Sequence, residues 1–348
     1  LLQARFRDMV DAGVHACAIE ASSIGLAEHR LDGTQVRVAL FTNFTQDHLD
    51  YHGSMAAYWQ AKEALFAWPE LELAVINVDD VQGAKLASDL SQGRLATEAW
   101  TCSSQGHNAR LQARNVKRNV TGLSFDVVEG PHSVHLQTSL MGDYNVDNVL
   151  GVIAALRALK YNLADIVEVC AQLKAVPGRM EKVQGVEGVE GIELPLTVVD
   201  YAHTPDALAK ALQALRGLAN ARGGRLWCLF GCGGDRDSTK RPLMGAMAEQ
   251  HADQVLLTSD NPRSESPQAI IAQIAAGVSQ PSRLLVEPDR ARAIAQALGA
   301  AGAHDVVLIA GKGHELYQEV GGQRLAFSDV QQVLLARPRQ TASVQGQA

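Results

Sequence analysis

LTVVDYAHTPDALAKALQAL, residues 196–215, joins a short apolar run to an amphipathic helix through a polar turn. The apolar run ends at Asp200, and Thr204-Pro205 is typical of an N-cap followed by the first residue of a helix. The helix then carries leucines every three or four positions, at Leu208, Leu212 and Leu215. A buried strand followed at once by such a helix predicts a βα unit of a parallel sheet.

The same arrangement recurs along the chain. Further short apolar runs lie at 16–19, 36–41, 73–76, 226–230, 255–257 and 306–309. Most of the runs end at or near a polar residue or a glycine: Glu20, Thr42, Asp200, Gly231, Asp260 and Gly311. Because ligands bind at the carboxyl ends of strands in open α/β sheets, the pattern predicts an α/β protein with its ligand sites at those positions.

Three breaks in the pattern divide the chain. Between 111 and 140 the apolar residues alternate with period two about Gly130-Pro131, which predicts a small antiparallel insertion. The glycine- and glutamate-rich stretch 184–193 leads us to place a domain boundary at 177/178, giving domains 1–177 and 178–336. We expect 337–348 to be a disordered tail, and we expect the helix predicted at 1–12 to begin a chain whose N-terminal part is missing.

Composition narrows the function classes. Apolar residues make up 47% and charged residues 20% of the 348, and no apolar run reaches membrane-spanning length, so we expect a globular protein without membrane insertion. The net charge of −7 with interspersed signs argues against a nucleic-acid partner. The five cysteines contain no C-x-x-C pair, which disfavours zinc and disulfide frameworks and favours a reducing cytoplasm. We expect Cys17 and Cys228 to be small core residues of strands.

TNFTQDHLDYHG (42–53) concentrates acids and imidazoles where a strand gives way to a helix. Glu20 and His48 can both reach a magnesium ion that bridges nucleotide phosphates, although histidine is a poor magnesium ligand. A polar loop before a helix capped by Ser54 explains the same pattern. Lys62, on that helix, reads from the residues alone as a surface lysine.

GCGGDRD (231–237) follows a predicted strand and lacks the third glycine of a dinucleotide fingerprint, which disfavours a dehydrogenase. Arg236 in this loop and Arg263 after the Asp260-Asn261-Pro262 turn are two cations that can clamp a carboxylate. GKGHE (311–315) resembles half of a phosphate loop, but the full G-x-x-x-x-G-K-[ST] pattern is absent from the sequence.

Taken together, these segments resemble the Mur ligases, which form amide bonds with ATP in peptidoglycan synthesis. The resemblance covers residues 1 to about 333, and nine motifs carry it in order. They are IEASSIGLAEHR (19–30), TNFTQDHLDYHG (42–53), YWQAKEALF (58–66), GDYNVDN (142–148), VPGRME (176–181), VDYAHTPDAL (199–208), GCGGDRDSTKRPLM (231–244), DNPRSE (260–265) and AGKGHELYQ (310–318). It implies a central parallel-sheet ATPase domain of the P-loop kind, here without its phosphate loop, followed by a Rossmann-like C-terminal domain.

The resemblance also implies roles for individual residues. Glu20, His48 and a carbamylated Lys62 would be the catalytic group and hold Mg²⁺. The UDP-linked substrate would contact Ser22, Glu28 and Arg30, and the nucleotide would contact Asn145, Asn148, Arg179 and Asp200. The amino acid would contact Arg236, Asp260, Asn261, Arg263, Gly311 and Glu315. Two positions depart from the family pattern, Ile24 in place of histidine and Glu28 in place of glutamine.

The implied reaction adds meso-diaminopimelate to UDP-N-acetylmuramoyl-L-alanyl-D-glutamate through an acyl phosphate, in a cytoplasmic monomer that uses ATP and Mg²⁺. Arg263 favours diaminopimelate over lysine, because the distal carboxylate needs a cationic partner. Two alternatives stay open. One is another ligase of the superfamily, such as a folylpolyglutamate synthase, and the other is an inactive nucleotide-binding fragment.

Overall fold

The computed structural model describes residues 2–93, 97–119, 122–183 and 194–336. The tail predicted for 337–348 and the glycine-rich stretch 184–193 lie outside these ranges. The helices of the described part are α1 Leu2–Asp11, α2 Ser23–Ala27, α3 Leu49–His52, α4 Met55–Glu63, α5 Val81–Ser91, α6 Tyr144–Ala158, α7 Leu163–Cys170, α8 Pro205–Arg222, α9 Lys240–His251, α10 Pro267–Ala275, α11 Arg290–Ala300 and α12 Asp329–Leu335. Two short 3₁₀ helices cover Ala64–Ala67 and Pro281–Arg283.

The strands of the same ranges are β1 Val38–Phe41, β2 Leu73–Asn77, β3 Glu98–Ser103, β4 Leu111–Asn119, β5 Gly122–Glu129, β6 His132–Thr138, β7 Glu181–Lys182, β8 Leu196–Asp200, β9 Leu226–Phe230, β10 Gln254–Leu257, β11 Leu284–Val286, β12 Val306–Ala310, β13 Tyr317–Val320 and β14 Gln323–Ala326. They confirm the α/β class. None of the described helices is both long enough and apolar enough to span a bilayer.

The chain divides into two compact units. The first contains the described residues of Leu1–Lys117, Ser124–Thr138 and Tyr144–Gln172, and the second contains those of Arg118–Leu123, Ser139–Asp143 and Leu173–Ala348. The boundary that we placed at 177/178 stays a prediction.

The first unit is built on a sheet of order β1-β2-β3-β4-β5-β6. Strands β1 to β4 pair in parallel, and β4 to β6 follow one another through short connections of the kind that joins antiparallel neighbours. The period-two segment is therefore the antiparallel part of this sheet, as the sequence predicts. Phe41, Trp59, Phe66 and Ile76 are buried together in the core beside β1 and β2.

One predicted strand of this unit is wrong. Residues 16–19 have no regular secondary structure, and Cys17 is exposed instead of lying in a strand core. A strand needs a neighbour to accept its backbone hydrogen bonds. The order of the sheet begins at β1, so residues 16–19 pair with none of the described strands. Glu20 consequently lies in an exposed coil and not at the end of a strand.

The second unit contains a sheet of order β11-β10-β9-β12-β8-β7. Its strands are parallel except for β7, which pairs antiparallel with β8. The chain runs outward from β9 to β11 and returns to β12, which lies between β9 and β8. Asp200, Gly231 and Gly311 thus share the carboxyl edge of adjacent strands, where open α/β sheets bind ligands.

Local sequence signals explain how the helices begin and end. The Thr204 hydroxyl accepts a hydrogen bond from the amide of Ala207 at 3.3 Å, which confirms the predicted cap of α8. Gly223 ends that helix in the left-handed conformation, with φ of 70°. The hydroxyl of Ser54 caps α4 through the amide of Ala57 at 3.2 Å, again as predicted.

Candidate functional site

In the first unit, the segment after β1 brings an imidazole next to a carboxylate. His48 is the residue before α3 and has a left-handed backbone, with φ of 52°. Its Nε2 lies 3.6 Å from Oδ2 of Asp47. The His48 ring also packs edge-on against Tyr58, with ring centroids 6.2 Å apart. The left-handed turn therefore aims the imidazole at the side of α4 that carries Tyr58.

Lys62 lies in the last turn of α4, one turn beyond Tyr58. Its Nζ is 5.2 Å from the centroid of the Tyr58 ring. Partial burial lowers the pKa of Lys62, while the negative charges of Glu20 and Asp47 act in the opposite direction. The structure therefore brings Glu20, His48 and Lys62 into one region, and the roles that the family resemblance implies for them stay predictions.

Tyr58 is the centre of this region, and the sequence analysis assigns it no role at the site. It is 5% exposed, and burial together with the charge of Asp47 raises its pKa to about 12. His52 stacks on the same ring at 5.3 Å and its Nε2 lies 3.0 Å from the hydroxyl of Ser23. A phenol with this pKa stays neutral, so Tyr58 acts as an aromatic surface for the groups around it.

The chemistry of these groups decides which ion they suit. Among the described residues, no three histidine, cysteine, aspartate or glutamate side chains converge as a metal site. Glu20 and His48 provide two such side chains, and an ammonium group at Lys62 would repel a cation. A carbamate on Lys62 would reverse that charge and supply oxygen donors, which Mg²⁺ prefers. The group thus fits magnesium only if Lys62 is modified.

The three residues expected to contact a UDP-linked substrate lie around α2. The Ser22 hydroxyl accepts a hydrogen bond from the amide of Gly25 at 3.0 Å and caps this helix. Arg30 donates from Nε to Oε2 of Glu28 at 2.9 Å. The acid at position 28, which departs from the family pattern, is therefore paired with Arg30 within the chain.

Asn145 and Asn148 lie near the start of α6, where Nδ2 of Asn148 donates to Oδ1 of Asn145 at 3.1 Å. These two expected nucleotide contacts belong to the first unit, and Arg179 and Asp200 belong to the second.

Asp200 ends β8 and is almost completely buried. Burial raises its pKa, while hydrogen bonds from the backbone amides of Met180 at 2.7 Å and Ala202 at 2.8 Å act to lower it. The guanidinium of Arg179 lies over the ring of Tyr201, 4.6 Å from its centroid. Arg179 and Asp200 thus lie close together, with an aromatic ring that sequence reasoning did not single out.

Two of the expected amino-acid contacts meet where β10 and β12 end. Asp260 is buried, and this burial raises its pKa against the lowering effect of Arg290 and Lys312. Gly311 has φ of 112°, and a Cβ atom at this position would lie 2.5 Å from Oδ2 of Asp260. Only glycine fits this conformation and this approach, which is why the sequence has glycine there.

A second pair of expected contacts, Asn261 and Glu315, is linked directly. Nδ2 of Asn261 donates to Oε2 of Glu315 at 2.7 Å. Lys312, which sequence reasoning did not select, donates from Nζ to both side chains, at 3.0 Å to Oδ1 of Asn261 and 2.9 Å to Oε2 of Glu315. Its only signal in the sequence was its position between two glycines in GKGHE.

Arg263 has a left-handed backbone with φ of 51° and a side chain that is 23% exposed. Nη1 donates to the carbonyl of Gly234 at 2.6 Å, and Nε lies 3.5 Å from Oε2 of Glu319. Among the described residues, Nη2 has no hydrogen-bond partner. The guanidinium is therefore held through Nε and Nη1, while the donors of Nη2 remain for a ligand.

Arg236, which the sequence analysis pairs with Arg263 as a clamp for a carboxylate, lies in a different environment from Arg263. It is exposed, and its Nη1 donates to the carbonyl of Asp235 at 3.3 Å. The arginine of this motif that is buried is Arg241, which pairs with Glu265 at 2.7 Å. That hydrogen bond is the main cause that lowers the pKa of Glu265 to about 2.

A further ion pair that sequence reasoning missed lies beneath the loops of the second unit. Arg290 and Asp329 are both 0% exposed and form a two-bond pair, at 2.7 Å and 2.8 Å. Arg290 also donates to the carbonyls of Ser259 and Ala310, at 3.3 Å and 2.9 Å. The pair therefore ties the ends of β10 and β12 to α11 and α12.

The sequence of the chain is similar to two protein families and to several known proteins. The "Mur ligase middle domain" family matches residues 1–156, and the "Mur ligase, glutamate ligase domain" family matches residues 178–313. The chain is 60% identical to a UDP-N-acetylmuramoyl-L-alanyl-D-glutamate--2,6-diaminopimelate ligase of Acidovorax sp. strain JS42, over 94% of the chain and 64% of that relative. A Pseudomonas aeruginosa protein with the same name is 46% identical, over 95% of the chain and 65% of the relative. The chain thus spans less than two thirds of these curated relatives.

Solved structures of ligases are similar to this chain as well. A structure named as the same ligase has 37% identity and a TM-score of 0.63, covering 96% of this chain and 67% of its own. The MurF ligase of Thermotoga maritima in complex with ADP is 16% identical with a TM-score of 0.65, over 90% of this chain and 64% of its own, and supports the fold alone. Both family matches and these relatives cover the two units just described, and the chain belongs to the Mur ligase family.

Proposed function

We propose that the protein containing this chain joins meso-diaminopimelate to UDP-N-acetylmuramoyl-L-alanyl-D-glutamate with ATP, in the cytoplasm, as a step of peptidoglycan synthesis. The observation that carries the proposal is the group of charges at the ends of β10 and β12. There Arg263 offers free donors. The pKa of Glu315 is lowered against the effect of burial by hydrogen bonds from Lys312 and Asn261, and the charge of Arg263 acts in the same direction. A cation beside a carboxylate suits an amino acid that carries both ammonium and carboxylate groups.

Diaminopimelate differs from lysine by a carboxylate on its distal carbon. Gly234 and Glu319 hold the guanidinium of Arg263 through Nη1 and Nε. Its Nη2 donors can therefore bind that carboxylate without first ordering the side chain. Lysine leaves these donors unpaired, which is a penalty that discriminates between the two substrates. Asp260, Asn261 and Gly311, with Arg236 in the neighbouring loop, complete the proposed amino-acid site.

For the chemistry we propose two steps. The D-glutamate carboxylate attacks the γ-phosphate of ATP, which releases ADP and forms an acyl phosphate. The amine of diaminopimelate then attacks the acyl carbon through a tetrahedral intermediate, which expels phosphate, forms the amide and gives up a proton. No side chain of the chain needs to act as a covalent nucleophile.

Glu20, His48 and carbamylated Lys62 would hold Mg²⁺, whose charge offsets that of the phosphates when it is bound. Burial lowers the pKa of Lys62 and so increases the share of the neutral amine, the form that reacts with carbon dioxide. Asn145, Asn148, Arg179 and Asp200 are the proposed nucleotide contacts. Ser22 and Arg30, the latter paired with Glu28, are the proposed contacts of the UDP-linked substrate.

The test is the change Arg263→Ala in a full-length protein containing this chain. Loss of a charge-assisted contact of about 1.5 to 3 kcal/mol should raise the KM for diaminopimelate about 10- to 150-fold and leave the KM for ATP nearly unchanged. Arg292→Ala is the matched control, because the Arg292 side chain is 75% exposed. An equal rise in both KM values would count against the proposed site. A wild-type protein that hydrolyses or binds ATP without ligating diaminopimelate would point to the alternative of a nucleotide-binding protein.

A further inference from the structure

Lys312 is a charged side chain without access to solvent. It is 0% exposed, and its Nζ donates hydrogen bonds to two residues of the proposed amino-acid site, Asn261 and Glu315. A buried ammonium is costly unless it is paired and hydrogen-bonded. The structure compensates this cost at the site itself, which suggests that the position of the charge matters there.

The bonds of Lys312 fix the direction of both partners. Oδ1 of Asn261 accepts from Lys312 and from the amide of Glu319 at 2.9 Å, so its Nδ2 must face Glu315. Oε2 of Glu315 accepts from both Lys312 and Asn261. Within the described ranges, the other carboxylate oxygen, Oε1, has no hydrogen-bond partner, and the side chain is 19% exposed. One oxygen is therefore held inside the protein while the other is left for a ligand.

We propose that Lys312 is a positioning residue, which orients Glu315 so that Oε1 receives an ammonium group of the amino-acid substrate. The inference rests on the proposed function for the identity of that substrate. Lys312 itself touches no substrate atom in this proposal. It acts through the rotamer of Glu315, since the amide of Glu319 also bonds Oδ1 of Asn261 and keeps that side chain in the same orientation.

The experiment compares Lys312→Met, Glu315→Gln and the double variant in a full-length protein containing this chain. Lys312→Met removes the ammonium and keeps most of the side-chain volume. We expect it to raise the KM for diaminopimelate about 10- to 100-fold with the KM for ATP within about twofold, because one or two charge-assisted bonds orient the acceptor. Lys210→Met is the control, since that lysine lies in an exposed pair with Asp206 on α8.

The double variant separates positioning from general stability. If Lys312 acts through Glu315, adding Lys312→Met to Glu315→Gln should change the KM for diaminopimelate by no more than about twofold. Multiplying effects, or equal losses for ATP and diaminopimelate, would overturn the proposal. The double variant also removes the carboxylate that Lys312→Met leaves unpaired, so it serves where the single variant is insoluble. Insolubility of both would mark Lys312 as a folding residue and equally overturn the proposal. A wild-type protein inactive with diaminopimelate would instead refute the proposed function.

Discussion

Replacing Arg290 by methionine should destabilise the second unit strongly. The change leaves the carboxylate of Asp329 buried at 0% exposure without its partner. Removing one member of a buried ion pair costs about 3 to 5 kcal/mol. The carbonyls of Ser259 and Ala310 lose a donor as well, which places the expected loss toward the upper end of that range.

The matched control lies two residues away on the same helix. Arg292 pairs with Glu287 at 3.3 Å, but its side chain is 75% exposed, so Arg292→Met should cost less than about 1 kcal/mol. The double change Arg290→Met with Asp329→Leu removes both charges. It should recover most of the loss and leave about 1 to 3 kcal/mol for the two unpaired carbonyls.

Urea unfolding followed by hydrogen exchange of the β12 peptide, Val306–Ala310, reports on the second unit separately from the first. The expected order of free energies of unfolding is wild type, Arg292→Met, the double variant and Arg290→Met, from highest to lowest. A loss for Arg290→Met no larger than that for Arg292→Met would refute the reasoning, since the burial of the pair would then carry no energetic weight.

Two further changes test the backbone and the charges of this unit. Gly178 has φ of 70°, and a Cβ atom there would overlap the backbone of Gly313 and His314. Gly223 also has φ of 70°, but no atom lies within 4 Å of its Cβ position, so Gly178→Ala should lower the melting temperature far more than Gly223→Ala. Similar losses at both positions would show that the close approach at Gly178 is unimportant. Glu265 has a pKa lowered from 4.5 to about 2 by Arg241, so it contributes stability above about pH 4.5 that is lost as the pH falls toward 2. Glu265→Gln should therefore flatten the decline of melting temperature in that window, and an unchanged slope would contradict the assignment.

Much of the second unit could be predicted from its sequence because its strands are continuous apolar runs. The runs at 196–199, 226–230, 255–257 and 306–309 are all strands in the structure, since a parallel sheet buried on both faces requires apolar side chains throughout. Strand β3, which belongs to the first unit, was not predicted, for the opposite reason. In Glu98–Ser103 only part of the strand is buried, so it contains no continuous apolar run.

The candidate site was predicted less completely than the fold. Candidate binding residues near strand ends, such as Asp260 and Gly311, could be found from the pattern of runs. Lys312 and Arg290 could not, because a buried charge is recognisable only when its partner is known, and Asp329 lies 39 positions from Arg290. The error at 16–19 has a related cause: apolar composition shows that a segment can form a strand, and only a neighbouring strand makes it one.

The arrangement around Arg263 indicates that the proposed amino-acid site is ordered before a ligand arrives. A left-handed backbone at an arginine costs free energy, and here backbone bonds compensate for it: Arg263 donates its amide to the carbonyl of Glu319 at 3.0 Å, and Gly321 donates to the carbonyl of Arg263 at 2.8 Å. The same hairpin strand, β13, positions Asn261 through the amide of Glu319. Strain held in place by the surrounding fold keeps the arginine and the amide in fixed directions, so little side-chain entropy is lost on binding. A site organised in this way discriminates by the charges that it leaves unpaired, which is the requirement for choosing between amino acids that differ by one carboxylate.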